Sequence, residues 1–425
     1  HTVEADIFKI SFESELSDTL KSNFVLSHSQ FDKVYQNLYA NGYSQAENEV
    51  QLKGYLDPTG RDSLIASYSL IKEFGNHTLL VGAERVDQEN TNHRYRSNFV
   101  NGVFGAQQET AWFDITRSGV FNAGSTAAGG AKTANTFVEF TSRLKTKTET
   151  DIEVNSIYFQ DQWDVTDNLI ITLGGRFDEF DITLRDMVGN ATREADIEEF
   201  GPRGGIVFKP NSNSSLYASY SESFLPRSGE QFKAMSDSEA ITDPDEFENS
   251  EIGYKYDDGN TVFSVAYFEL ESTRFERANL ASDQTEERDM DVDGYEVAYS
   301  GKLTDNLSLA ATYSNVDGKN GAADAREIPE QTWTLWMDYQ ASPRLSYGLG
   351  VTHQGESLIS DGSTRKLPEY ERIDFSLNYD VRDDLTLQFF VENLADEDYY
   401  PHSHGSHQVT VGEPVNAKLG FYKKF

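Results

Sequence analysis

Apolar and polar residues alternate along this chain with a period of two. Between Leu385 and Glu392, Leu385, Leu387, Phe389 and Val391 oppose Thr386, Gln388 and Glu392. From Ile373, the set Ile373, Phe375, Leu377, Tyr379 and Val381 opposes Asp374, Ser376, Asn378 and Asp380. Leu307, Leu309, Ala311 and Tyr313 oppose Ser308, Thr312 and Ser314, and Leu169, Ile171, Leu173 and Phe177 oppose Thr172, Arg176 and Asp178. Such alternation marks strands with one apolar and one polar face, so the chain reads as all-β. The pattern predicts about seventeen strands, near residues 2–16, 19–35, 61–74, 77–93, 151–166, 168–186, 194–209, 214–221, 248–257, 260–275, 289–303, 306–317, 329–341, 344–357, 368–382, 384–393 and 415–425.

Most of these segments are longer than the ~5–6 residues of ordinary globular strands, and they match the ~9–11 needed to cross a bilayer. Short polar turns such as Ser17-Asp18, Gly75-Asn76, Asp167-Asn168 and Arg382 to Asp384 alternate with long segments, notably Arg94 to Asp151, Ser221 to Asn249 and Leu394 to Pro414. Tight turns at one end and long loops at the other predict an antiparallel transmembrane β-barrel of the outer-membrane type. An odd strand count conflicts with the even numbers of closed single-chain bacterial barrels. The expectation is therefore a partial barrel over residues 1–425, lacking strands at its N-terminal side and ending on the terminal aromatic Phe425. A propeller is the rival, since the turns after Asp167 recur at about the WD40 spacing. Two long strands per repeat, and a single Trp-Asp pair at Trp163-Asp164, argue against it.

Composition narrows the picture. Lys and Arg number 36 against 71 Asp and Glu, a formal charge of −35 that would repel a phosphate backbone and excludes a nucleic-acid partner. No apolar run approaches the ~20 residues of a spanning helix. The 27 Phe, 22 Tyr and 4 Trp are too many for a disordered acidic chain. With no Cys, disulfide frameworks and Cys-ligated metals are excluded. The chain also lacks a Gly-x-Ser-x-Gly elbow, a His-Glu-x-x-His helix and a Gly-x-x-x-x-Gly-Lys loop, and it reads as a non-enzyme.

A series of short motifs, in order along the chain, resembles the C-terminal barrel of TonB-dependent siderophore receptors. These are His77-Thr78-Leu79-Leu80-Val81-Gly82, Gly174-Gly175-Arg176-Phe177-Asp178, Pro202-Arg203-Gly204-Gly205, Ser223-Phe224-Leu225-Pro226, Glu251-Ile252-Gly253-Tyr254-Lys255, Gly294-Tyr295-Glu296 and Glu392-Asn393-Leu394-Ala395-Asp396. The resemblance implies an N-terminal plug and a 22-stranded barrel, of which this chain would hold strands six to twenty-two. It also implies an outer-membrane receptor that imports a ferric siderophore with TonB–ExbB–ExbD, in contact with lipopolysaccharide. The iron chelate would be cargo, with no intrinsic cofactor. Haem, cobalamin, another metal complex or an oligosaccharide are alternative cargoes, and a ligand-independent diffusion porin is the alternative of another class.

Three groups are candidate contacts. Arg94, Tyr95, Arg96, Phe99, Trp112 and Phe113 in the first long loop combine charge with flat apolar surface, as an anionic ferric catecholate or hydroxamate requires. Phe224, Arg227 and Phe232 open the second. In the last, Tyr399 and Tyr400 precede His402, His404 and His407, a set that could ligate haem iron or a transition metal. The acidic run from Asp237 to Glu248 reads as a calcium site or a solvated, lipopolysaccharide-facing surface.

Overall fold

A computed structural model describes residues 2–101, 107–114, 135–137, 143–226, 243–277, 285–405 and 408–424. Arg227, Phe232, His407, Phe425 and the start of the acidic run lie outside the described residues. Seventeen long strands follow one another: β1 Thr2–Ser17, β2 Leu20–Ser44, β3 Glu49–Phe74, β4 His77–Arg96, β5 Leu144–Thr166, β6 Leu169–Asp186, β7 Ala191–Asn211, β8 Ser214–Leu225, β9 Asp245–Asp257, β10 Thr261–Arg277, β11 Thr285–Thr304, β12 Leu307–Asn320, β13 Gln331–Ser342, β14 Leu345–Gln354, β15 Tyr370–Arg382, β16 Leu385–Glu392 and β17 Asn416–Lys423. Each pairs antiparallel with the next in one continuous meander. Among the described residues β1 and β17 are not paired to each other, so the sheet has two open edges.

All seventeen expected strands are present. The largest difference is between residues 36 and 60, expected outside the strands, where β2 and β3 continue as one hairpin of 25 and 26 residues. Asn37, Asn41, Gly42, Gly54, Pro58 and Gly60 give this stretch the composition of a loop. Pairing along the whole hairpin, from Val34↔Pro58 to Ser44↔Glu49, overrides that local preference. A short strand, Thr110–Asp114, folds back from the first long loop onto Glu49–Lys53.

Register carries the alternation from strand to strand. One row runs Phe12↔Phe24↔Tyr68↔Ala83↔Ile157↔Phe177↔Phe200. Further round, Ile252 pairs with Tyr267 and Tyr267 with Tyr295, and in the last strands Leu387 pairs with Phe421 and Phe389 with Leu419. Large apolar side chains on this face stay exposed, Ile157 at 62% and Leu419 at 77%. A soluble protein would bury such a surface; a contiguous apolar band of this extent is made for lipid. At the tight-turn end, His77 stacks between Phe74 and Trp163, centroids 5.2 and 5.5 Å away, and its Nδ1 lies 2.8 Å from Asp161. Amphipathic rings of this kind belong at a membrane interface.

The opposite face is polar: Ser67, Glu84, Ser156 and Asp178 pair in succession. Arg176 donates to Glu84 at 2.9 Å, to Asp178 at 2.8 Å and to Ser156 at 2.7 Å, forming an ionic cluster across three strands. Two motif glycines find their reason in neighbouring rings, Gly82 on this face and Gly175 on the apolar one. A Cβ on Gly82 would lie 2.3 Å from the Tyr158 ring, and one on Gly175 would lie 2.4 Å from Phe200. Each ring lies across the neighbouring strand where only a glycine leaves room.

Candidate functional site

The long hairpin carries polar-face residues beyond the apolar band. By register, Lys33 lies beside Thr59, Tyr35 beside Asp57 and Asn37 beside Tyr55, and the next strand brings Arg96 beside Tyr55. Two adjoining cavities of about 710 and 520 Å³ open on this surface, sharing Tyr35, Tyr55 and Arg94. That volume suits a compact chelate. His404 and Gln408, from the loop between β16 and β17, complete the second cavity. The sheet therefore curls far enough to bring its last loop back to its second, third and fourth strands.

Arg94 is held by Asp57 through a bidentate pair, Nε to Oδ1 at 2.8 Å and Nη2 to Oδ2. Its guanidinium lies 4.6 Å from the Tyr55 ring centroid. Tyr55 in turn meets Tyr35 at 5.8 Å and Tyr39 at 6.1 Å, the latter edge-on at 64°. Lys33 lies 5.4 Å from the Tyr35 ring. Lys33, Arg61, Arg94 and Arg96 line the two cavities with Asp57 as the one carboxylate among their described residues. In a chain with twice as many acids as bases, this is a local reversal of charge.

Burial, with help from Tyr55 and Asp57, pushes the Tyr35 phenol above its ordinary range, so it remains a neutral donor at physiological pH. The hydrogen bonds that Arg94 donates to the Asp57 carboxylate hold its guanidinium above the usual range. Among the described residues no group of three His, Cys, Asp or Glu is arranged to hold a metal ion. This chemistry fits an anion that brings flat, hydrogen-bonding surfaces.

The structure distributes the expected contacts among several roles. Arg94 and Arg96 line the cavities and His404 lines the second. Tyr95 alternates to the other face of β4, against His93 at 6.3 Å. Phe99 and Phe113 are 1% and 5% exposed, packed with Ala111, Val50 and Leu52. Val50 and Leu52 alternate away from Tyr55, so this cluster packs on the other face of β3. Trp112 pairs with Gln51 on the polar side, its ring near Gly42. Phe224 meets Phe180 edge-on at 5.8 Å, next to a buried cluster of Ile152, Val154, Ile182, Leu184 and Ala195. Tyr399 is 7% exposed, against Tyr370 at 4.8 Å and within 3.4 Å of Arg372, and is a packing residue. His402 meets Thr410 at 3.1 Å. Tyr399, His402 and His404 thus occupy different surroundings and do not converge as ligands.

Lys33, Tyr35, Tyr39, Tyr55 and Asp57 are the contributors missed from the sequence. Their signal was the two-residue spacing of Lys33, Tyr35, Asn37 and Tyr39, and of Tyr55, Asp57, Thr59 and Arg61, on two strands that were expected to stop short.

A profile of the family described as TonB dependent receptor-like, beta-barrel matches residues 4–394. A probable TonB-dependent siderophore receptor, PiuA of Acinetobacter baumannii, is 27% identical over 326 residues, covering 67% of this chain and 43% of the relative. The ferripyoverdine receptor of Pseudomonas aeruginosa is 28% identical over 284 residues, covering 61% of this chain and 34% of the relative. Among solved structures, the siderophore receptor PiuA from Acinetobacter baumannii superposes with a TM-score of 0.83 at 22% identity, over 99% of this chain and 64% of that one. The ferripyoverdine receptor of Pseudomonas aeruginosa bound to ferripyoverdine gives a TM-score of 0.75 at 21% identity, over 99% and 56%. The sequence matches thus span less than half the length of the two curated relatives, and the superpositions cover 64% and 56% of the two solved chains. An all-strand antiparallel meander with an exposed apolar band, matched by this profile over most of its length, belongs to the β-barrel of the TonB-dependent receptors of the outer membrane.

Proposed function

We propose that this chain is the C-terminal part of the barrel of an outer-membrane receptor that binds a ferric siderophore for TonB-dependent uptake. The observation that carries the reading is the basin of Tyr35, Tyr39, Tyr55, Arg94 and Arg96, a cationic and aromatic surface in a strongly acidic protein. The protein acts by binding and passage, without catalysis. The iron complex is cargo, and no resident cofactor enters the reading. Strands preceding β1 would cover the open sheet edges, whose unpaired backbone groups are costly in lipid. A plug preceding those strands would control passage and engage TonB, with ExbB and ExbD coupling the proton-motive force to it. Lipopolysaccharide would contact the outer wall.

The test uses the full-length receptor in an iron-starved strain lacking its own siderophore receptors. Uptake of iron-55 chelate is expected with the intact protein. The double substitution Tyr55→Leu with Arg94→Gln is expected to raise the half-saturating concentration at least about tenfold, since a charged pair and its stacked ring are lost together. Unchanged uptake would remove the basin from the pathway. Passage of unrelated solutes without TonB would favour a diffusion porin.

A further inference from the structure

The two arginines at the end of β4 differ in what they have left to give, and this difference divides their work. This inference rests on the reading of the basin as a chelate site. Arg94 spends its guanidinium on Asp57, whose side chain is only 10% exposed, so the pair presents little net charge to a ligand. What Arg94 fixes is the ring of Tyr55 beneath it, and through Tyr55 the rings of Tyr35 and Tyr39. Arg96 lies across from Tyr55 in register, and its backbone amide is satisfied by the Arg143 carbonyl at 2.9 Å. Among the described residues no carboxylate pairs with it, and its buried Nε has no hydrogen-bond acceptor. An unspent, partly desolvated guanidinium donor at the wall of a cavity is arranged for an anionic oxygen that arrives with the ligand.

We propose that Arg96 is the residue that selects chelates by charge, favouring trianionic iron(III) tris-catecholates over neutral tris-hydroxamates, while Arg94 is a positioning residue that sets the rings for both. Catecholate oxygens carry the negative charge of the complex to its surface, where Arg96 reaches them. A neutral hydroxamate complex offers the same bulk to the tyrosines but no charge to Arg96.

The full-length receptor in detergent is titrated, by quenching of its intrinsic fluorescence, with an iron(III) tris-catecholate and with a neutral iron(III) tris-hydroxamate, each at low and at physiological salt. Arg96→Gln is expected to weaken the tris-catecholate about tenfold more than the tris-hydroxamate and to flatten its salt dependence. Arg94→Gln is expected to weaken both, with their ratio kept within about twofold and the salt dependence retained. Arg96→Lys should restore most of the ratio, because charge is what matters there. Arg94→Lys should restore little, because an ammonium cannot reproduce the two-pronged pair with Asp57. Equal losses for both chelates in Arg96→Gln, or a shifted ratio in Arg94→Gln, would overturn the assignment. A wild-type receptor that bound only the neutral complex would overturn charge selection while leaving the receptor reading intact; one that bound neither would overturn both.

Discussion

Ile157→Arg should destabilise the barrel by about 2–4 kcal/mol, the cost of an arginine at depth on a lipid-facing strand. Ile157 is chosen because it is 62% exposed on the apolar face, between Ala83 and Phe177 in the same row. It lies six residues above Trp163, whose stack with His77 marks the interface at the tight-turn end, and so falls well inside the band. Its neighbour Ser156 points to the other face and is 4% exposed among Arg176 and Asp178. The one-residue difference therefore separates lipid from the polar interior. Reversible unfolding of the full-length receptor in lipid vesicles measures the effect, and heat-dependent mobility on a gel gives a simpler readout. Were this face turned to water, the arginine would leave stability nearly unchanged, as surface substitutions do.

Arg176→Ala is expected to cost about 3 kcal/mol, for the opposite reason. Arg176 bridges Glu84 on β4 and Asp178 on its own strand, with Ser156 between them on β5. Asp178 is 5% exposed, so removing the arginine leaves a buried carboxylate with its partner gone, and breaking such a pair costs far more than the pair itself contributes. Arg176 is itself 41% exposed, which keeps the figure toward the lower end of that range. The same argument supplies the control. Asp178→Asn in the Arg176→Ala background removes the stranded charge and should recover at least half of the loss, a coupling that a double-mutant cycle reads directly. Simple additivity would show that the cluster is not acting as a unit.

The fold was legible because its rule is local and repeated. Alternation of two, as in Leu385 to Glu392 or Ile373 to Val381, needs no knowledge of distant contacts, and the short turns after Ser17, Phe74 and Thr166 divide the strands cleanly. What escaped was the upper half of the β2–β3 hairpin. Gly42, Pro58 and Gly60 carry loop propensity, and only the pairing of Val34 with Pro58 and Tyr39 with Lys53 makes them strand. The same blind spot hid most of the site. Arg94 and Arg96, named for their charge, line the proposed basin, but Tyr35, Tyr39, Tyr55 and Asp57 join them only through register across two neighbouring strands.

Loop aromatics carry a related ambiguity. Phe99, Phe113 and Tyr399 are the residue types that bind flat ligands, and they are also the types that pin long loops to a wall. Sequence does not separate these uses; burial does. Phe99 and Phe113 close on each other at 5.8 Å over Val50 and Leu52, and Tyr399 fills the space above Gly412. The histidines of the last loop divide in the same way, His402 beside Thr410 and His404 at the rim of the basin.

The most direct test of the account is a structure of the full-length receptor with a ferric chelate bound. The account places the iron complex on the polar face of β2, β3 and β4, against Tyr55, with Arg94 still paired to Asp57. A chelate seated against the Ile182 and Phe224 wall, with the tyrosine basin empty, would contradict it.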